Sequence, residues 1–301
     1  MMLSRLLLPE GLRPLASRQV LLPYDGSQVP VIHAERKGSR TDMSTTLLSH
    51  APELIAAHMR AAAGRRQMDQ AGPFSIGFDP HSNDPFRNYA VPADGARPTP
   101  DDVQALIASF RQHERIPRLE YVEASAPEVE KALAAAGFTV ELRTPVMVCG
   151  PGIVLTPREP AGITVRPAAG DADLRAAAEV QHEAYEAPQP PGPHDVERLA
   201  SVLQRGGVVS VAVDDASGQI AGSGLVDVTG PGTSTGELAA VAVRAAFRRR
   251  GIASALSAHL ARTAHGQAIT LVFLEAEPAE ERIYRRTGFV DVTTKIWMSL
   301  R

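Results

Sequence analysis

The spacing of apolar residues changes several times along the chain, and each change marks an element. Pro52–Ala63 places Ile55, Met59 and Ala62 on one face, which predicts a helix. Phe74–Phe78 and Asn88–Val91 read as short strands, separated by a stretch rich in Pro, Asp and Asn. Pro98–Glu114 starts at Thr99 or Pro100, carries Asp101 and Asp102 in its first turn, and repeats Val103, Leu106, Ile107 and Phe110. That is a capped amphipathic helix. Further on, Ile163–Pro167 predicts a strand and Asp171–Tyr185 a helix with Asp171 as its cap. The run Gln189–Pro193 breaks that helix before a second one, His194–Gln204. Val208–Val213 and Ile220–Val228 flank Asp214–Gly218, a hairpin turn. A strand from Glu237 to Val243 follows, then a helix with Ile252, Leu256 and Leu260 four residues apart, a strand Thr270–Glu277 and a closing strand Thr294–Leu300.

One pattern occurs twice. Leu119–Ala124 (LEYVEA) matches Leu271–Ala276 (LVFLEA), and each is followed by a helical segment, a Gly-Phe pair and a strand containing a methionine. The pairs are Gly137-Phe138 and Gly288-Phe289, and the methionines Met147 and Met298. Such a repeat predicts a duplicated module. The expected division is a first module over residues 43–150, a linker over 151–161 broken by Pro151, Pro157 and Pro160, and a second module over 162–301. Residues 1–42 read as an N-terminal extension, with Met43 as the expected translation start.

Composition narrows the class. A chain of 301 residues with 44% hydrophobic and 22% charged residues is long enough for two modest soluble domains. A net charge of −3 gives no electrostatic reason to expect a nucleic-acid partner. No apolar run is long enough to cross a membrane, and Leu6–Leu8 is cut off by Pro9 and Glu10. The single Cys149 excludes an intramolecular disulfide, suits a cytoplasmic location and reads as a buried thiol. The nine histidines show no pair at metal-ligand spacing, so no metal is expected.

Candidate chemistry lies between the strand ending at Val243 and the helix beginning near Ile252. The junction reads Arg248-Arg249-Arg250-Gly251-Ile252-Ala253. A first helical turn leaves its N–H groups without intrahelical acceptors and carries partial positive charge. A glycine beside it lets the main chain approach a ligand, and the arginines add charge. Together they suit a phosphate or pyrophosphate.

Arg248-x-x-Gly251-x-Ala253 resembles the Arg/Gln-x-x-Gly-x-Gly/Ala signature of the GCN5-related N-acetyltransferases, the GNAT family. Ile283-Tyr284-Arg285-Arg286-Thr287-Gly288-Phe289 is similar to that family's Leu-Tyr-x-x-x-Gly-Phe stretch. The resemblance runs from Ile163 to the C-terminus. It implies a mixed α/β fold with α+β character, here as two tandem modules, each a mixed central sheet flanked by helices. It also implies acetyl-CoA as co-substrate. Val241, Ala242 and Val243 would pair with the pantetheine arm. The N–H groups of Arg249, Arg250, Gly251, Ile252, Ala253 and Ser254 would hold the pyrophosphate, with charge from Arg248, Arg249 and Arg250. Tyr284 would be general acid toward the thiolate and Glu237 general base toward the amine, with Glu275 as the alternative base. Two departures stand out: Glu277 replaces an asparagine common in the family, and Pro278 follows it.

The first module lacks this chemistry. Its equivalent junction, Ala93–Asp102, has prolines in place of N–H donors and two aspartates that would repel a phosphate, and Leu133 stands where the second module has Tyr284. The reading is an N-acetyltransferase acting on a small amine or a peptide amine, with the acceptor pocket shaped by loops such as Ala187–Pro193 and Gly230–Ser234. A non-catalytic acyl-CoA-binding or sensing protein and a mycothiol-synthase-like enzyme are the alternatives. The sequence leaves acceptor, acyl-chain preference and oligomeric state open.

Overall fold

In the computed structural model, described for residues 47–65, 67–79, 83, 85–185 and 189–301, the first elements follow the apolar pattern. Helix α1 spans Ala51–Ala63, with Ile55, Ala56 and Met59 on its buried face. Strands β1 (Gln67–Ala71) and β2 (Phe74–Phe78) form a hairpin. The sequence pattern missed β1, because its QMDQA run has no apolar alternation; it is an edge strand held by main-chain pairing to β2. Strand β3 (Tyr89–Pro92) and helix α2 (Pro100–Gln112) come next, and Thr99 with Asp102 forms a complete capping box. Strand β4 (Arg118–Val122), helix α3 (Val129–Ala135) and strand β5 (Thr139–Cys149) end this half.

The second half runs β6 (Ile163–Pro167), α4 (Gly170–Ala184), α5 (Pro193–Gln204), β7 (Val208–Asp214), β8 (Ile220–Val228), β9 (Thr235–Val243), α6 (Ile252–Gly266), β10 (Leu271–Glu275), α7 (Glu281–Arg285) and β11 (Val290–Ser299). This is the element order expected, with one local correction. Asp171 does not cap α4. The N-cap is Ala169, whose N–H donates to Asp173 at 2.6 Å, and Arg166 holds that carboxylate from β6. The expected extension and start at Met43 lie outside the described residues.

The strands form one eleven-stranded sheet in the order β1-β2-β3-β4-β11-β5-β10-β9-β8-β7-β6. The order contains an exchange. The last strand of the second half, β11, lies between β4 and β5, while the last strand of the first half, β5, lies against β10. Core side chains are exchanged with the strands. Ile296 and Met298 pack with Phe74, Phe110 and Leu133 of the first half. Met147 and Cys149 pack with Leu238, Leu260 and Phe289 of the second. Both closing strands start after a left-handed glycine, Gly137 at φ 92° and Gly288 at φ 98°. A side chain at Gly288 would also strike the carbonyl of Ile153, with its Cβ only 2.2 Å from the oxygen.

Helices α2 and α3 cover one face of the first half and α6 the same face of the second. On the other face α1 lies over Tyr89, Val122, Val148 and Phe273, so it bridges strands of both halves. Helices α4 and α5 cover Val209, Val211 and Leu225 on that face.

Beneath α1 the buried His58 sets its ring edge-on to Phe273, with centroids 5.1 Å apart. Burial lowers its pKa from 6.5 to about 4; Arg65 and Arg205 push the same way, and Asp227 opposes them. The folded state therefore needs neutral imidazole. Its contribution is complete above pH 6.5 and is lost as the pH falls through 4, amounting to about 3 kcal/mol. Urea unfolding of His58→Gln between pH 7 and 4 should lose about that much less stability than wild type. Equal losses would show that His58 does not titrate in the folded protein.

Candidate active site

Strands β9 and β10 run parallel but pair over only three rungs, Thr235–Leu271, Gly236–Val272 and Glu237–Phe273. Strand β9 then continues to Val243, while β10 ends at Glu275. Beyond Glu237 the two diverge and leave a V whose β9 side presents main-chain groups. A bulge re-aims that edge. The β8–β9 register passes from Leu225–Ala239 to Ser223–Ala242, so Ala240 and Val241 together face Gly224, and Ala240 has φ 53°. A glycine sits opposite the bulge, where a Cβ at Gly224 would crowd the side chains of Leu260 at 2.9 Å and Val241 at 3.3 Å.

After Val243 a single 3-10 turn, Ala245–Phe247, leads to the basic junction. Arg249 at φ 63° and Gly251 at φ 85° are both left-handed, and Gly251 is the N-cap of α6 with no side chain capping the helix. The first-turn N–H groups thus have no acceptor from their own helix or from its cap. A Cβ built at Gly251 meets nothing within 4 Å, so this side of the glycine faces open space. The arginine side chains divide their work. Arg248 donates to the carbonyl of Val243 at 3.2 Å; Arg250 donates to the carbonyl of Ala161 at 3.2 Å and lies over the Phe247 ring. All three arginines are exposed, whereas the Ile252 side chain is buried beneath the helix. The first half offers no such junction: at α2 the Thr99 hydroxyl accepts from the N–H of Asp102, and Asp102 accepts from the N–H of Thr99 at 2.8 Å. Leu133, at the position of Tyr284, is fully buried in the core.

Tyr284 lies on α7, 7% exposed, in the apolar cluster that holds Leu238 and has Val241 packed against it. Its carbonyl accepts from the Thr287 hydroxyl and the N–H of Phe289, which ends the helix and starts the turn to β11. Burial pushes the phenol well above the ordinary tyrosine range, and Glu280, Tyr185 and Glu277 push it further. At neutral pH it is a proton donor and not a phenolate.

Glu237 faces the other side of the sheet. It alternates with Leu238, and its cross-strand neighbours are Phe273, beneath α1, and Asp227 on β8. It is buried, 7% exposed, at the closed end of the V. The charges of Arg65 and Lys295 both reach it. Acid and base candidates therefore flank the strand pair from opposite faces. Glu275, the alternative base, is engaged by Lys295 at 2.6 Å. Burial alone would push Lys295 down, but Glu120 and Glu275 more than reverse this and hold it charged.

Several residues around the site escaped the sequence pattern. Asp227 was detectable as an acid inside the apolar strand Ile220–Val228. Arg65, Arg205 and Tyr185 carried no local signal; their placement depends on how α1, α4 and α5 dock. Among the described residues, no cluster of His, Cys, Asp or Glu could hold a metal ion, and no helix is long and apolar enough to cross a membrane. Burial raises the Cys149 thiol to about 12, as suits a packed and unreactive group.

Residues 205–291 match the family model of the acetyltransferase (GNAT) domain. Among solved structures, a GCN5-related N-acetyltransferase from Kribbella flavida superposes with a TM-score of 0.69 at 24% identity, covering 82% of this chain and 95% of that one. A GCN5-related N-acetyltransferase from Sphaerobacter thermophilus gives 0.56 at 20% identity, covering 84% and 93%. A tandem GNAT protein from the clavulanic acid biosynthesis pathway gives 0.56 at 14% identity, covering 85% and 95%. These likenesses establish a GNAT fold. No curated protein matches the chain.

Proposed function

We propose that this protein transfers an acetyl group from acetyl-CoA to a primary amine, and that the second half does the chemistry. The observation that carries this reading is the junction at Gly251, an uncapped, glycine-led helix N-terminus at the end of a strand whose edge is bared by the V. It suits a ligand with a diphosphate at one end and amide groups along its arm. Val241 to Val243 would pair with the arm, the N–H groups of Arg249 to Ser254 would hold the diphosphate, and Arg248, Arg249 and Arg250 would add charge.

At the V the amine nitrogen attacks the thioester carbon. Its proton passes to Glu237, directly or through water, and the carbon–sulfur bond breaks. The departing thiolate takes its proton from Tyr284, whose burial keeps that proton in place until a strong acceptor appears. Exchange with solvent resets both groups. The acceptor class is a small amine or a peptide amine, entering on the face of Glu237.

The test is CoA-thiol release from acetyl-CoA with a panel of primary amines: amino-acid amides, polyamines, amino sugars and lysine peptides. Tyr284→Phe should bind acetyl-CoA as wild type does while kcat falls on the order of 100-fold. Undiminished kcat in that variant would remove Tyr284 from the chemistry. Tight acetyl-CoA binding with no turnover on any amine would favour a binding protein over an enzyme.

A further inference from the structure

The β8–β9 register sets Asp227 directly opposite Glu237 on one face of the sheet, with their Cβ atoms about 5 Å apart. Both side chains are buried, at 5% and 7% exposure. Two carboxylates this close and this dry repel one another. Compensation comes from two arginines. Arg205, just after α5, donates to Asp227 at 2.7 Å and to the carbonyl of Val228 at 3.1 Å. Arg65, just after α1, donates to the other oxygen of Asp227 at 3.3 Å and to the same carbonyl at 2.5 Å. Arg205 belongs to the half that carries Glu237; Arg65 does not.

Other charged and titratable groups among the described residues also lie on this face, and the charge of Lys295 reaches Glu237 as well. On β10 Glu275 is bound to Lys295 of β11, which also binds Glu120 at 2.8 Å. His58, on the buried face of α1, is neutral. Among the described residues, Arg65 is a cation that faces both members of the Asp227–Glu237 pair and comes from the N-terminal half, whose own strand-to-helix junction is capped by Thr99 and Asp102.

We propose that Arg65 is a positioning residue for the transfer: reaching across from the N-terminal half, it balances Asp227 so that Glu237, directly opposite, stands ionised and ready to take a proton. The N-terminal half then contributes to the chemistry through one guanidinium. This rests on the reading of Glu237 as the proton acceptor.

The full-length protein, labelled with 13C at glutamate side-chain carboxyls, allows the Glu237 carboxyl to be titrated by NMR without any acceptor, with Glu237→Gln identifying its resonance. Arg65→Gln should raise its midpoint by about one pH unit or more. Arg65→Lys, which keeps the charge, should stay near wild type. Arg65→Gln combined with Asp227→Asn should return the midpoint toward wild type, because the opposing charge has gone; a merely structural role for Arg65 would not be rescued this way. A midpoint unmoved in Arg65→Gln, or unrescued in the double variant, overturns the proposal. The two readings separate in the transfer assay. If the midpoint moves and the acid limb of kcat/KM moves with it, both stand. If the midpoint moves and the acid limb does not, the base is not Glu237, and the transfer role of Arg65 falls with it.

Discussion

Removing residues 290–301 is expected to unfold the half of the protein that lies farther from them in sequence. Strand β11 fills the gap between β4 and β5, pairing Lys295–Ser299 with β4 and most of its length with β5. Without it, Ile296 and Met298 leave the first core, where they are 0% and 1% exposed, at about 2–3 kcal/mol each. Lys295 leaves as well, so Glu120 loses one of its two cations inside the sheet, which costs several kcal/mol more. Two bared strand edges add unpaired main-chain groups. The total is comparable to the whole stability of a domain, about 5–15 kcal/mol. Urea denaturation of the truncated chain should show no cooperative transition. Residues 151–301 alone should fail similarly, because β10 loses β5 and the second core loses Met147 and Cys149. Co-expression of 1–150 with 151–301 should give a stable heterodimer. A cooperative transition in either fragment alone would refute the exchange.

Much of this fold could be read from the sequence, and the limits of that reading have physical causes. The repeat, the Gly-Phe turns and the element order of the second half all express local periodicity, which a sequence displays directly. The exchange does not. LEYVEA and LVFLEA offer nearly the same strand to a closing partner, so local pattern cannot decide whether β5 or β11 pairs with β4. At α4 two aspartates precede the apolar stripe, and it is Asp173, held by Arg166 on β6, that accepts the N–H of the N-cap Ala169. The Gly251 junction was legible because its parts are contiguous. The setting of Glu237 was not, because Asp227, Arg65 and Arg205 converge from three separate segments.

Gly251→Val is expected to abolish acetyl-CoA binding while leaving the fold in place. At φ 85° a β-branched residue is strained by roughly 1–3 kcal/mol, which a protein with two cores can absorb. Since a Cβ at this position meets no protein atom within 4 Å, the valine side chain projects into the space assigned to the diphosphate. Gly251→Ala carries a smaller side chain at the same φ and should weaken binding less. A melting temperature only a few degrees below wild type would show that lost binding is local.

Calorimetric titration of the full-length protein with acetyl-CoA, wild type beside Gly251→Val, tests the central claim most directly. Saturable one-to-one binding by wild type, weakened on the order of 100-fold or more in the folded variant, is the predicted result; that factor corresponds to about 2.7 kcal/mol. Equal affinity in the variant would contradict the placement of the diphosphate at Gly251, and absence of binding by wild type would contradict the proposed use of acetyl-CoA.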